Sequence, residues 1–358
     1  MVVERTGFLE YTRQFDTARS HVINVSLSAG VTIRKRTLLF CLAPEHFVVA
    51  IRVERRIDVN KVNAVIRQFA ELFESPLYPS YEAMLAEQPD GVLVCSENAN
   101  HRPLVEMAAA AGVHVLCEKP LATNLADARD LMEACQKAGV ILMTAFPMRF
   151  SAPLLEVKAK LDDGSLGQIY ACNTTNQGQM PIKHRKWFVD KTLAGGGAVM
   201  DHTVHLTDIL RWYFQTEVVE VFAQTNHILH AGTVEVETGG LVMLTLANGT
   251  FASIDCSWSK PLTYPTWGGL TMELIGERGL TLIDPFSQTL NVYKQHGADH
   301  SWAYWGSDAN QAMLEEFVAA IREDRPARVS GEDGYKALEV ALAVYASAVQ
   351  GQPVKLPL

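Results

Sequence analysis

Asp201 and His205 stand four residues apart in the stretch Leu193-Ala-Gly-Gly-Gly-Ala-Val-Met-Asp-His-Thr-Val-His-Leu-Thr-Asp208. On a helix that spacing puts both side chains on one face. A histidine held beside a carboxylate is suited to take a proton near neutral pH. Three glycines lead into this helix, which the pattern carries to about Tyr213. His202 lies about 100° round the helix from Asp201, three residues before His205, and stands as a rival base. A helix cap with buried histidines would explain each residue singly. Glycine triplet, acid and histidine together favour a site.

A second group is Glu118-Lys119-Pro120, at the end of the apolar run Val113 to Cys117. Two charges at the mouth of a sheet are costly unless something there uses them, and proline stops the strand. A surface ion pair is the plainer account; function is the favoured one.

These groups need elements to hold them. Residues 1–20 read as an arm without periodicity. From 21 to 146, short apolar strands alternate with helices: strands at His21 to Leu27, Phe47 to Val53, Gly91 to Cys95, Val113 to Cys117 and Val140 to Ala145, and helices at Val59 to Phe73, Pro103 to Ala111 and a third entered at Asn124. Gly112 and Gly139 close two of the helices, and Asn124 with Asp127 reads as a capping box. This alternation implies a parallel, doubly wound sheet. Residues 147–358 differ, with an antiparallel-rich sheet (strands near 168–176, 217–228, 241–246, 251–258, 270–275 and 288–294) and late helices at Glu315 to Arg322 and Tyr335 to Val349. Asn248-Gly249 suits a type I′ hairpin turn. The fold class is α/β: a doubly wound N-terminal domain followed by an α/β domain with a large, mostly antiparallel open sheet.

Ligands of an open parallel sheet bind beyond the carboxyl ends of its strands. The turn after Leu27 reads Ser28-Ala29-Gly30-Val-Thr-Ile33. Against G-x-G-x-x-G only Gly30 survives, so it is a weakened phosphate cradle or a simple tight turn. Glu54, Arg55 and Arg56 offer an acid for a ribose diol and cations for a 2′-phosphate, or a surface charge run. In Ser96-Glu-Asn-Ala-Asn-His101, Asn98 and His101 could bond ribose or nicotinamide, or serve the helix entry.

The 358 residues are 48% hydrophobic and 20% charged, with net charge −9. That balance speaks against a nucleic-acid or anionic-membrane surface. No run approaches the roughly 18 apolar residues of a membrane span. Six cysteines, with no C-x-x-C pair, fit reduced thiols in the cytoplasm and no metal site.

Glu118-Lys119-Pro120 followed by Gly195-Gly-Gly-x₃-Asp201-x₃-His205-x₂-Asp208 resembles the glucose–fructose oxidoreductase / inositol dehydrogenase family, written Gfo/Idh/MocA. The likeness runs over about 21–355 and takes in Ser96 to His101, Met148-Arg-Phe150 and Gly276-x-x-Gly279. It implies a Rossmann domain, NAD or NADP, and hydride transfer at a sugar, cyclitol or related polyol. It also implies a homodimer or homotetramer formed through the C-terminal sheet. By resemblance Lys119, His205 and Asp201 are catalytic: Lys119 near the nicotinamide and the reacting oxygen, His205 as acid/base, Asp201 as a substrate or orienting carboxylate. Ser28, Ala29, Gly30, Glu54, Arg55, Ser96, Asn98, His101, Glu118, Lys119, Arg149 and Trp187 would line the cofactor. Gln177, Gln179, Lys183, His184 and Trp187 suit a polyol pocket, and Trp302-Ala-Tyr-Trp305 a pocket wall or subunit contact. Two missing glycines, and Thr203 where the family usually has Gly, would weaken cofactor binding. Alternatives are a cofactor-retaining glycosidase of the same family or a non-catalytic dinucleotide- or sugar-binding protein.

Overall fold

The computed structural model describes residues 78, 80–183, 185–264, 266–287, 289–293, 300–304 and 306–358. The arm at 1–20, the strands at 21–27 and 47–53, the helix at 59–73 and the residues Ser28, Ala29, Gly30, Glu54, Arg55, Arg56, His184 and Trp305 lie outside it.

After a short helix α1 (Tyr81–Leu85), three parallel strands follow: β1 (Gly91–Val94), β2 (His114–Cys117) and β3 (Leu142–Thr144). Val94 pairs with Cys117 and Cys117 with Thr144. The strands therefore end level, and their following turns open along one edge. Helix α2 (His101–Ala110) tolerates Pro103 in its first turn, where the N–H has no helical acceptor. Helix α3 (Leu125–Ala138) is capped by Asn124, which accepts from Asp127 N at 2.9 Å. The reciprocal arm of the expected capping box is absent: the Asp127 carboxylate instead accepts from the Asn124 amide and from Arg102.

A one-turn 3₁₀ segment (Pro147–Phe150) and helix α4 (Ala152–Asp162) lead into β4 (Ile169–Gln179). Next come α5 (Lys191–Ala194), α6 (Ala198–Phe214), β5 (Val218–Asn226), β6 (Gly239–Leu246), β7 (Phe251–Lys260), β8 (Gly268–Gly276) and β9 (Gly279–Ile283). The chain finishes with the pair β10 (Thr289–Tyr293) and β11 (His300–Tyr304), helices α7 (Ala309–Arg322) and α8 (Gly331–Gln350), and β12 (Val354–Lys355). The large sheet runs β12-β5-β6-β7-β4-β8-β9, antiparallel except for the parallel contact of β4 with β7.

The β6–β7 turn is not type I′. Only Gly249 has positive φ, at +88°, and Gly249 N donates to Leu246 O while Leu246 N donates to Thr250 O, each at 2.9 Å. This is a three-residue loop with a left-handed glycine last, which matches strand twist without requiring positive φ at Asn248.

Two apolar cores share their helices. In α6, Met200 and Val204 face the core of the three-stranded sheet, while Val199, Leu206 and Leu210 face the large sheet. Helix α8 divides likewise, with Leu338 and Ala341 on one side and Val340 and Val344 on the other. Phe317 of α7 is fully buried against the first core, a burial worth roughly 1.5–3 kcal/mol. With α6 wedged between both cores, its N-terminal turns meet the edge where β1 and β2 end.

Candidate active site

The Glu118-Lys119-Pro120 turn is bolted from behind. Glu118 N donates to Val94 O at 2.9 Å, and the Lys119–Pro120 bond is cis. The buried His101 ring puts Nδ1 3.0 Å from Pro120 O and Nε2 3.2 Å from Ser96 O. Both its nitrogens are thereby committed to backbone carbonyls. The expectation that His101 bonds ribose or nicotinamide is corrected: it ties two turns together. Asn98 donates to Ala194 O at 2.8 Å, joining the first turn to the start of the α6 region. The Ser96 hydroxyl is turned to Glu97 O. The Glu118 carboxylate accepts from Lys119 N at 3.2 Å, and burial pushes its pKa up against the pull of Lys119.

The glycine triplet has a packing cause. Gly195, at φ +83°, ends α5 in the left-handed region. A Cβ on Gly196 would collide with the Tyr345 hydroxyl, and one on Gly197 with Glu237 O. No side chain can cap α6 from Gly197, so Glu237 does it from the β5–β6 connection. Its Oε1 accepts from Gly197 N (2.8 Å), Val199 N (3.0 Å) and Tyr345 Oη (2.7 Å). A carboxylate there also meets the positive end of the helix dipole. The sequence carried no local sign of Glu237 or Tyr345, which lie 40 and 148 residues beyond Gly197.

Entered this way, α6 projects Asp201 at the lysine. Lys119 Nζ donates to Asp201 Oδ1 at 2.8 Å and to Asp201 O at 3.0 Å. The side chains are only 14% and 8% exposed, so the pair attracts far more strongly than it would in water. Burial alone would raise the Asp201 pKa, but Lys119 holds it well below the usual carboxylate range. The other oxygen, Oδ2, accepts from Trp258 Nε1 at 3.2 Å. Asp201 thus does not hold His205, as its spacing suggested; the imidazole nearest its carboxylate is His202, with Nε2 3.6 Å from Oδ2. His202 packs its ring edge on the Gly178 backbone.

His205 is half-buried, edge-on to Phe146 at 6.0 Å between centroids. Its Nδ1 is buried without a partner. Burial, and then the Lys119 charge, push its pKa well below 6.5. It is neutral near pH 7 and able to accept a proton. Thr203 faces away from this site, its hydroxyl on Cys256 Sγ at 3.4 Å. Its departure from glycine is absorbed by helix–sheet packing, not by a ligand site.

The cleft between the turn and α6 is lined by Asn98, Lys119, Pro120, Phe188, Ala194, Gly196, Gly197, Met200 and Asp201. Phe188, not Trp187, is the aromatic in its wall; the Trp187 ring lies against Phe188 at 4.2 Å. Both sit on one 3₁₀ turn (Lys186–Val189), where neighbouring side chains point about 120° apart. Arg149 is also corrected. Its guanidinium binds Asp208 through two bonds (2.8 and 2.6 Å), Asp333 at 2.9 Å and Arg328 O at 3.4 Å, so it braces the fold. Gln177 bonds Asp255, and Gln179 bonds Tyr264 O and Thr266 O, which spends both amides inside the protein. Lys183 is exposed. Among the described residues, no group of three or more His, Cys, Asp or Glu is placed to hold a metal ion.

Two family models match the chain: the oxidoreductase family with an NAD-binding Rossmann fold over residues 56–146, and the GFO/IDH/MocA C-terminal domain over 154–281. It is 31% identical over 285 residues to myo-inositol 2-dehydrogenase of Thermotoga maritima, covering 76% of this chain and 82% of that one. The chain belongs to the Gfo/Idh/MocA oxidoreductase family. D-apiose dehydrogenase of Paraburkholderia graminis is 30% identical over 300 residues, 78% of this chain and 76% of that one. Among solved structures, GenD2 from gentamicin A biosynthesis, in complex with NAD, superposes with TM-score 0.74 at 25% identity, over 82% of this chain and 86% of that one. The aldose–aldose oxidoreductase from Caulobacter crescentus, complexed with glycerol, gives 0.70 at 29% identity, over 82% and 89%. This family member is an NAD(P)-dependent oxidoreductase. The Rossmann match begins at residue 56, after Ser28, Ala29, Gly30, Glu54 and Arg55.

Proposed function

We propose that the protein moves a hydride between NAD or NADP and a secondary alcohol or ketone of a sugar, cyclitol or related polyol, with Lys119, Asp201 and His205 around the reacting carbon. The observation that carries this reading is the Lys119 ammonium. It has three N–H donors; Asp201 takes two, and among the described residues none takes the third, which can meet an oxygen in the cleft.

The described residues fit the nicotinamide end of such a cofactor: the cleft lies past β1 and β2, with Asn98 and Lys119 in its lining and Phe188 in its wall. Bound there, NAD or NADP supplies the hydride acceptor. Ser28, Ala29 and Gly30 are the proposed pyrophosphate turn, and Glu54 and Arg55 the proposed ribose contacts. Lys119 stabilises negative charge as it develops on the substrate oxygen. Asp201 aims that ammonium through two hydrogen bonds. His205, neutral through burial, accepts the hydroxyl proton on Nε2, the ring nitrogen left accessible when Nδ1 is buried. The named activities of the relatives, on inositol and apiose, support a polyol substrate.

The partner we assign to the open face of the large sheet is a second copy of this chain. Leu241, Met243, Phe251, Ile275, Leu280 and Leu282 stand exposed on β6 to β9, Leu282 at 73%, and exposed apolar side chains gathered on one sheet face suit a subunit contact. No helix among the described residues is long and apolar enough to cross a membrane. The five cysteines among the described residues are free thiols, which supports a cytoplasmic setting.

The test is turnover across a panel of inositols, pentoses and hexoses with both cofactors. Lys119→Ala is expected to lower kcat about 10²–10³-fold and His205→Ala about 10²–10⁴-fold, with circular dichroism unchanged. Full activity in both variants ends this reading.

A further inference from the structure

Asp201 has a neighbour that neither its own helix nor the lysine turn supplies. Trp258, on β7, is fully buried, and its indole Nε1 donates to Asp201 Oδ2 while Lys119 Nζ takes Oδ1. The two carboxylate oxygens are divided between a neutral donor from the sheet and a cation from the Rossmann turn. The indole is held in place: Trp258 N donates to Thr238 O at 2.9 Å, Trp258 O lies 3.0 Å from His230 Nε2, and the ring packs with Met180, Ala198 and Val236.

We propose that Trp258 is a positioning residue of this site, whose N–H sets the rotation of the Asp201 carboxylate and, through it, the direction of the Lys119 ammonium. This rests on the roles proposed above for Lys119 and Asp201. The terminal torsion of aspartate is broad and roughly two-fold, so an untethered carboxylate swings, and a flexible lysine stem follows it. With Oδ2 tied, Oδ1 and the main-chain oxygen are two fixed acceptors for two ammonium protons, and the third N–H has one direction left. An indole can only donate, so it also favours the ionised acid. His202 does not substitute: at 3.6 Å its Nε2 is beyond hydrogen-bond distance.

The charged and titratable groups around Asp201 are Lys119, with Glu118 next to it, from the turn, His202 and His205 from α6, and Asp255, acting on His202, from β7. Of the groups contacting the carboxylate, Trp258 alone does not titrate, so replacing it leaves every charge in place.

Trp258→Phe keeps an aromatic ring and removes the N–H. With the panel polyol that the wild type turns over fastest, kcat is expected to fall about 10- to 100-fold, the worth of one hydrogen bond to a charged group, while KM changes less than threefold. The ¹³C titration of the Asp201 carboxyl should move to higher pH. In ¹⁵N-labelled protein the indole resonance lost in Trp258→Phe should, in Asp201→Asn, shift upfield and exchange faster with water. Unchanged kcat, or a fall in kcat without movement of the carboxyl titration, overturns the proposal. If Trp258→Phe does not fold, an indole resonance unmoved in Asp201→Asn overturns it instead. Full activity of Lys119→Ala would remove the function proposed above while leaving the indole result to stand or fall by itself.

Discussion

Helix α6 carries two buried aspartates seven residues, or two turns, apart on one face: Asp201 at the cleft and Asp208 deeper in the fold. Each is paired with a cation that follows a strand of the parallel sheet, Lys119 after β2 and Arg149 after β3. They differ in what the cation has left over. Arg149 is locked in a closed network, forked onto Asp208 and shared with Asp333, which also binds Arg211 (3.1 Å). Arg211 is in turn forked onto Glu217 at 2.7 Å. A planar guanidinium suits such bracing. Lys119 has a third donor that no described residue takes. One helix thus holds a closed ion pair and one whose cation has, among the described residues, a donor to spare.

That contrast breaks if the two ends respond alike to mutation. Asp201→Asn is expected to lower turnover about 10²-fold. Asp208→Ala, which strands Arg149, should cost about 3–5 kcal/mol in urea unfolding. Equal loss of turnover in both would remove the distinction.

Acid titration sharpens the comparison, because the two groups carry opposite signs. The Asp201 pKa is depressed by Lys119, so its stabilisation is present above about pH 3.9 and is lost as pH falls through the lower folded value. For Asp208, burial outweighs Arg149 and raises the pKa to about 6. Its contribution is therefore fullest below about pH 3.9 and is lost as pH rises through 6. Unfolding free energies measured between pH 3 and 7 should show the difference between wild type and Asp201→Asn growing with pH in the lower part of that range. The difference between wild type and Asp208→Asn should shrink toward pH 6.

The smallest effect concerns the helix entry. Gly196→Ala is expected to cost about 1–3 kcal/mol by overpacking against Tyr345. Tyr345→Phe, by removing the hydroxyl, should return part of it in the double variant. No recovery in thermal unfolding would mean that the triplet is not there to admit Tyr345.

Much of this was legible in local pattern. The strands at 91–94 and 114–117, the glycine stops at 112 and 139, and the β6–β7 pairing follow from periods of two and 3.6 and from left-handed glycine. Lys119 and Asp201, 82 residues apart, were singled out separately by charge at a strand end and by helical spacing. Local pattern misled wherever a side chain's partner came from afar. Arg149 and His101 carry the chemistry of ligand contacts, yet Asp333 and the carbonyls of Ser96 and Pro120 claim them. Phe188 rather than Trp187 was decided by the phase of a 3₁₀ turn that begins one residue earlier.

Residue types and short-range spacing by themselves determined the elements, the fold class and which segments carried reactive groups, because backbone preference and hydrophobic period act over a few residues. Only the tertiary structure decided that Lys119 pairs with Asp201 instead of Asp201 with His205, that Tyr345 and Glu237 explain Gly196 and Gly197, and that Trp258 completes the carboxylate. Those choices depend on which hydrogen-bond donors and acceptors meet when two cores close on one helix, and no local rule encodes that meeting.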